Sequence, residues 1–134
     1  MPNGANVLGL AVEKLKQHHP VKGWCQHFTD WAITKVSPSH TLPDAPTALL
    51  SLHILKADPA KYGYTAVHDL NSHPYTLLYF GNCGGHPTHI PGAGSEFCGH
   101  VGIYSRADGM IYSSYHYKYG PYWDARKAGF FVPI

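Results

Sequence analysis

What narrows the fold of this chain most is a change of texture near Tyr62. Before it, apolar residues recur at helical spacing. After it come tyrosines, glycines and β-branched residues in short runs. Residues 4–18 read as an amphipathic helix with Val7, Leu10, Ala11 and Leu15 on one face and Pro20 beyond its end. A second helix is expected over about 24–36, where Cys25, Phe28, Ala32 and Val36 form a stripe flanked by Trp31 and Pro38 closes the run. A third is expected over 47–59. The strands should follow: 75–80 ("YTLLYF"), 100–105 ("HVGIYS"), 109–117 ("GMIYSSYHY") and 129–134 ("GFFVPI"). The "RADG" between the second and third ends in Asp-Gly, a hairpin signal. Helices first and antiparallel strands afterwards imply an α+β fold, and 134 residues suit one domain, 1–134, with its own core.

Composition excludes several classes. No stretch has the length and apolarity of a membrane span, so no membrane partner is expected. A net charge of +2 with scattered lysines lacks a nucleic-acid footprint. Residues 1–10 lack the basic start and long apolar run of a signal peptide, so export would need another route, such as phage or secretion-system delivery. The chain has eleven histidines, and its three cysteines cannot all pair.

The first cysteine, in "VKGWCQHFTDWA" (21–32), falls where a helix begins. A thiolate attacks far better than a thiol, and the unpaired N–H groups and dipole at a helix N-terminus favour it. The same N–H groups can hold the oxyanion of a tetrahedral intermediate. A base must come from elsewhere in the chain. His100 opens an apolar strand after Gly99, at the end of a sheet, where a helix packed on that sheet could present Cys25 to it. A third polar group should fix the imidazole tautomer, and the hairpin partner strand offers Ser113, Ser114 and His116. Each residue also has a plainer reading. A lone helical cysteine most often packs as a small hydrophobe, and a lone histidine at a strand start is usually an ordinary surface or core residue.

"GWCQHFTDWA" resembles the nucleophile segment of CHAP-type cysteine amidase/peptidases, which show Trp-Cys, then Phe three residues on and Trp three further; Cys25, Phe28 and Trp31 match. "GHVGIYSRADGMI" (99–111) resembles the histidine strand and hairpin shared by that family and the NlpC-type endopeptidases, and "LLYF" (77–80) resembles the strand before it. The resemblance implies a papain-like fold, with N-terminal helices carrying the cysteine on a C-terminal antiparallel sheet carrying the histidine. It also implies cleavage of amide bonds in peptidoglycan through an acyl-enzyme by a monomer that needs no cofactor, as in a phage lysin, a tail-associated hydrolase or a secreted toxin. Cys25 would be the nucleophile and His100 the general base, then acid. The family puts Glu, Asn, Asp or His on the next strand. The NlpC-type spacing lands on Tyr112 and the CHAP-type spacing near Tyr115 to Tyr117, a window in which His116 is the one standard orienting residue. Ser114 and Tyr112 are the reserves.

Two further features bear on function. The aromatic run "YSSYHYKYGPYWD" (112–124) suits core and cross-strand pairs, or a wall for sugar rings and peptides built from Trp24, Tyr117, Tyr122 and Trp123. The long loop 81–99 departs from the family pattern. Its Cys83, His86, His89 and Cys98 have spacings that a structural zinc could use; a Cys83–Cys98 disulfide or two idle thiols are the alternatives. If His100 were a ligand it could not be the base. The rival to the hydrolase is therefore a zinc-stabilised glycan-binding module without catalysis. An acyl-enzyme deamidase or transglutaminase acting on a protein would use the same residues as the hydrolase. The zinc site predicts close to one zinc per purified chain by elemental analysis; a metal-free preparation that folds equally well overturns it.

Overall fold

The computed structural model describes residues 4–17, 25–45, 48–80, 100–113, 116–125 and 127–134. Three helices come first: α1 (Gly4–Lys16), α2 (Cys25–Val36) and α3 (Ala48–Ala57). The strands are β1 (Tyr64–Ala66), β2 (Tyr75–Phe80), β3 (His100–Ser105), β4 (Met110–Tyr112), β5 (His116–Lys118) and β6 (Lys127–Pro133), with a one-turn helix α4 (Pro121–Asp124) before the last. They form one sheet in the order β1-β6-β2-β3-β4-β5, and every adjacent pair is antiparallel. The protein is a mixed α+β fold, as the change of texture predicts.

The three long helices cover one face of the sheet. Val7, Leu8, Ala11, Val12 and Leu15 of α1, Ala32 and Ile33 of α2, and Ala48, Leu52 and Leu55 of α3 pack with Leu77, Tyr79, Val101, Ile103, Tyr112 and Phe131. Fully burying each of the Val, Leu, Ile and Phe side chains among these stabilises by about 1.5–3 kcal/mol. The α1 stripe differs in part from the expected one. Leu10 is 45% exposed, and the buried face runs through Leu8 and Val12 instead, because positions i, i+1, i+4, i+5 and i+8 keep closer to one line on a 3.6-residue helix. The opposite face carries a second cluster of Leu78, Phe80, Tyr104 and Ile111, covered by Leu70, Tyr117, Tyr119, Trp123 and Phe130. The central strands are therefore buried on both faces, and "LLYF" reads as a continuous apolar run rather than an alternating one.

Turn chemistry closes the β3–β4 hairpin. Gly109 sits at φ 69°, a conformation suited to glycine, and its N–H donates to the Ser105 carbonyl at 2.9 Å. The Asp108 carboxylate accepts from the Met110 N–H at 3.0 Å. The expected strand 109–117 is divided. β4 stops at Tyr112, and β5 returns beside it with Tyr112 opposite His116 and Ile111 opposite Tyr117. The sequence between the two strands, Ser-Ser-Tyr, contains no Gly or Pro to mark the division. β1 has three residues, too few for a period to show, and is defined by pairing with β6.

Buried polar groups are tied off locally. Tyr64 donates to the His40 carbonyl at 2.8 Å, Ser51 and Tyr79 share a 2.8 Å hydrogen bond, and Asp30 accepts from the Leu42 N–H at 2.9 Å. Burial, with Tyr79 and Asp30 nearby, pushes the Tyr64 phenol well above its usual range.

Gly102 of β3 has no room for a side chain. A Cβ there would lie 2.6 Å from Ile111 Cγ2 and 3.0 Å from the Tyr112 carbonyl oxygen. Gly102→Ala is expected to cost about 1–3 kcal/mol as an overpacked site, measured as a lower urea midpoint. An unchanged midpoint would contradict this packing.

Candidate active site

Cys25 is the first residue of α2, so its backbone lies in the turn whose N–H groups have no partner within the helix. One turn further on, Thr29 is fully buried, and its hydroxyl donates to the Val101 carbonyl over a long 3.4 Å. This ties the beginning of α2 to the beginning of β3, one residue from His100.

His100 opens β3 and is only 4% exposed. Phe80 is its cross-strand neighbour, so both side chains leave the sheet on the face away from the long helices, where Phe80 joins the second cluster. Three rings enclose the imidazole, with centroids 5.1 Å away for Trp123, 5.4 Å for Tyr117 and 5.8 Å for Phe80. Trp123 itself lies 4.8 Å from both Phe80 and Tyr117. The Tyr117 hydroxyl hydrogen-bonds Nε2 of His100. The result is a buried imidazole whose ring plane is packed on several sides and whose Nε2 has a named partner.

His116, expected to orient His100, lies elsewhere. It is exposed on the far side of β5, opposite Tyr112, with ring centroids 5.6 Å apart. Alternation explains this. β3–β4 pairing puts Tyr104 opposite Ile111, so odd-numbered residues of β4 share the His100 face, and β5 keeps that parity by setting Tyr117 opposite Ile111. The register implied by the Asp-Gly turn already carried this signal against position 116. What the sequence hid was the fold-back that brings Tyr117 over the sheet. Tyr112, a reserve for the same role, belongs to the helix-side cluster. Its hydroxyl donates to Asp108 at 2.6 Å, and burial together with that bond pushes it up to about 12. Ser113 is buried.

Of the expected aromatic wall, Tyr117 and Trp123 meet at His100. Tyr122 lies in α4, and only its backbone position is described, as for Cys25. Trp24, Ser114, Tyr115 and the proposed zinc ligands Cys83, His86, His89 and Cys98 lie outside the described residues. Among the described residues no three His, Cys, Asp or Glu side chains are grouped to hold a metal. Phe80 is the site residue that sequence reasoning missed; its signal was the cross-strand position opposite His100.

A polar clasp holds α4, and with it Trp123, in place. The Asp124 carboxylate accepts from the Lys127 ammonium and from the Tyr119 hydroxyl, each at 2.7 Å. These bonds hold Asp124 below the usual carboxylate range. Partial burial and the bond to Asp124 push Tyr119 up, while its ring packs on Tyr104 at 5.3 Å.

Comparison with protein-family models, with curated proteins and with solved structures finds no match to this chain.

A carboxyl group whose folded pKa is depressed contributes stability above its unfolded value, about 3.9 for Asp, and that contribution is lost as pH falls through the folded pKa. The urea midpoint of the wild type is therefore expected to fall more steeply between pH 5 and pH 2.5 than that of Asp124→Asn. Parallel curves would show that the clasp adds nothing.

Proposed function

We propose that this chain is a papain-like cysteine hydrolase that cleaves amide bonds in peptidoglycan, with Cys25 as nucleophile and His100 as general base. The observation that carries the reading is a buried, ring-packed imidazole at the end of β3, beside the strand position to which the first turns of α2 are tied. An imidazole sequestered at the end of a sheet, one residue from a bond to a helix that begins with cysteine, supports this reading, which requires Sγ and the ring to come within hydrogen-bond reach. Because His100 leaves the sheet on the face away from the helices, the reading requires the thiol to meet the ring around the end of the sheet and not through it.

The chemistry follows from these groups. His100 takes the Cys25 proton, and the thiolate attacks the carbonyl carbon of the scissile amide. N–H groups of the first turn of α2, which have no helical partner, receive the oxyanion. The imidazolium then protonates the leaving amine as the C–N bond breaks, leaving a thioester on Cys25. Water attacks the thioester with His100 again as base, which releases the acid and restores the thiol. The aromatic side chains beside His100 supply flat apolar surface for sugar or peptide groups next to the scissile bond.

The test begins with alkylation of each cysteine against pH, mapped by mass spectrometry on the native protein. Rapid labelling of Cys25 at pH 6, well below a free thiol's pKa of about 8.5, is the expected result. Cys25→Ala should keep the wild-type circular dichroism and release new amine ends from purified peptidoglycan about a thousandfold more slowly, or worse. Slow labelling of Cys25 at every pH, or turnover surviving in the alanine variant, would overturn the proposal.

A further inference from the structure

The packing of His100 supports a positioning role that the expected family pattern would give to an amide, carboxylate or imidazole on the next strand. We propose that Tyr117 is the orienting residue of His100: its hydroxyl oxygen accepts a hydrogen bond from Nε2–H and so holds the neutral ring with its proton on Nε2. Trp123 and Phe80 fix the plane of the ring. The inference rests on the reading of His100 as general base, and concerns which nitrogen does that work.

A neutral imidazole carries one proton, and whichever nitrogen lacks it can serve as base. Nε2 is bound to the Tyr117 hydroxyl. A phenol can donate as well as accept, so that bond alone permits two arrangements. If Tyr117 donates, Nε2 is the acceptor and is already occupied, and the ring proton sits on Nδ1. If Tyr117 accepts, Nε2 keeps the proton and Nδ1 is the basic nitrogen. Only the second arrangement lets His100 receive a thiol proton while keeping its bond to Tyr117. That bond then persists when the ring becomes an imidazolium, because Nε2–H donates in both states. Proton transfer from Sγ to Nδ1 therefore leaves the Tyr117 contact intact.

The ring plane needs separate control, since χ2 of histidine is a broad torsion. Trp123 at 5.1 Å and Phe80 at 5.8 Å meet the imidazole at interplanar angles of 34° and 32°, and Tyr117 at 52°. A ~180° flip about χ2 would swap Nε2 with Cε1 and Nδ1 with Cδ2 within this packing and break the bond to Tyr117. Each of the three rings also comes from a different element. Phe80 sits in the β2–β3 ladder opposite His100. Tyr117 sits in β5 opposite Ile111. Trp123 is carried by α4, which the Asp124 clasp anchors to Tyr119 and Lys127.

The experiment reads the tautomer directly. In 15N-labelled Cys25→Ala protein, at a pH where the imidazole is neutral, the ring nitrogens of His100 are assigned by their loss in His100→Gln. Nε2 is expected to show the pyrrole-like shift and Nδ1 the pyridine-like one. Tyr117→Phe keeps the ring and removes the hydroxyl; it is expected to populate both tautomers. In the Cys25 background it should lower kcat on soluble peptidoglycan fragments about tenfold, the equivalent of one hydrogen bond, with little change in KM. Trp123→Phe should keep the Nε2–H tautomer, and Trp123→Ala should not. A pyridine-like Nε2 in the unsubstituted site, or a tautomer unmoved by Tyr117→Phe, overturns the proposal. Because the tautomer is read without turnover, a protein with no hydrolase activity but with Nε2–H held by Tyr117 would refute the proposed function and leave the positioning assignment standing.

Discussion

The antiparallel ladder between β2 and β3 is the interaction on which the rest of the structure depends. Its register runs unbroken from Tyr75 opposite Ser105 to Phe80 opposite His100. That pairing decides the face of every side chain in both strands, since a slip of one residue would send each to the other side. In this register Leu77, Tyr79, Val101 and Ile103 meet the helices, while Leu78, Phe80, His100 and Tyr104 meet the aromatic layer. His100 is therefore withdrawn from the helical core and enclosed by rings, and its neighbour Val101 offers a carbonyl to Thr29 on the opposite side.

The two layers differ in chemistry. The helix-side layer is aliphatic, with tyrosines whose hydroxyls are spent on fixed partners: Tyr64 on the His40 carbonyl, Tyr79 with Ser51, and Tyr112 on Asp108. Each such bond keeps a buried polar atom from being orphaned, which would cost about 1–3 kcal/mol. The far layer is rich in aromatic rings whose polar tips have fixed partners, with Tyr117 on His100 and Tyr119 on Asp124. Flat rings lose few rotamers on packing and keep a hydrogen-bonding end, so a small sheet can enclose an imidazole without a second set of long helices. β5 and α4 are short, and the side chains they carry do the covering.

How much of this was legible depended on whether local pattern or long-range pairing decided each element. α1, α2, α3, β2 and β3 follow from spacing and punctuation: Pro38 ends α2, and Gly109 with Asp108 turns β3 into β4. Cys25 and His100 could be singled out because one begins a helical stripe and the other an apolar strand. Tyr117 could not be matched to His100 in the same way, because alternating tyrosines read as one strand and no glycine or proline lies between β4 and β5. The placement of His116 was legible, since strand parity sets it with Tyr112 on the face opposite His100. Leu10 lost its expected place because α1 buries a line through Leu8 and Val12. β1 and the role of Phe80 were out of reach of local reasoning, as both exist through pairing with residues far along the chain.

The strand order has a consequence for how such a sheet is built. β6 lies between β1 and β2 and hydrogen-bonds both, so β1 has no neighbour in the sheet until a segment more than sixty residues later arrives to bridge it. During synthesis the helices and the β2–β3–β4 ladder can assemble as each emerges, but one edge of β2 stays unpaired until the last strand is inserted. Closing so wide a loop carries an entropic cost before any contact rewards it. The nascent chain therefore passes through a stage in which an apolar strand edge lies open beside an already formed imidazole-bearing strand. Early packing is then that of α1 on α2 and of α2 on β3, and β1 joins the sheet only when β6 pairs with both it and β2.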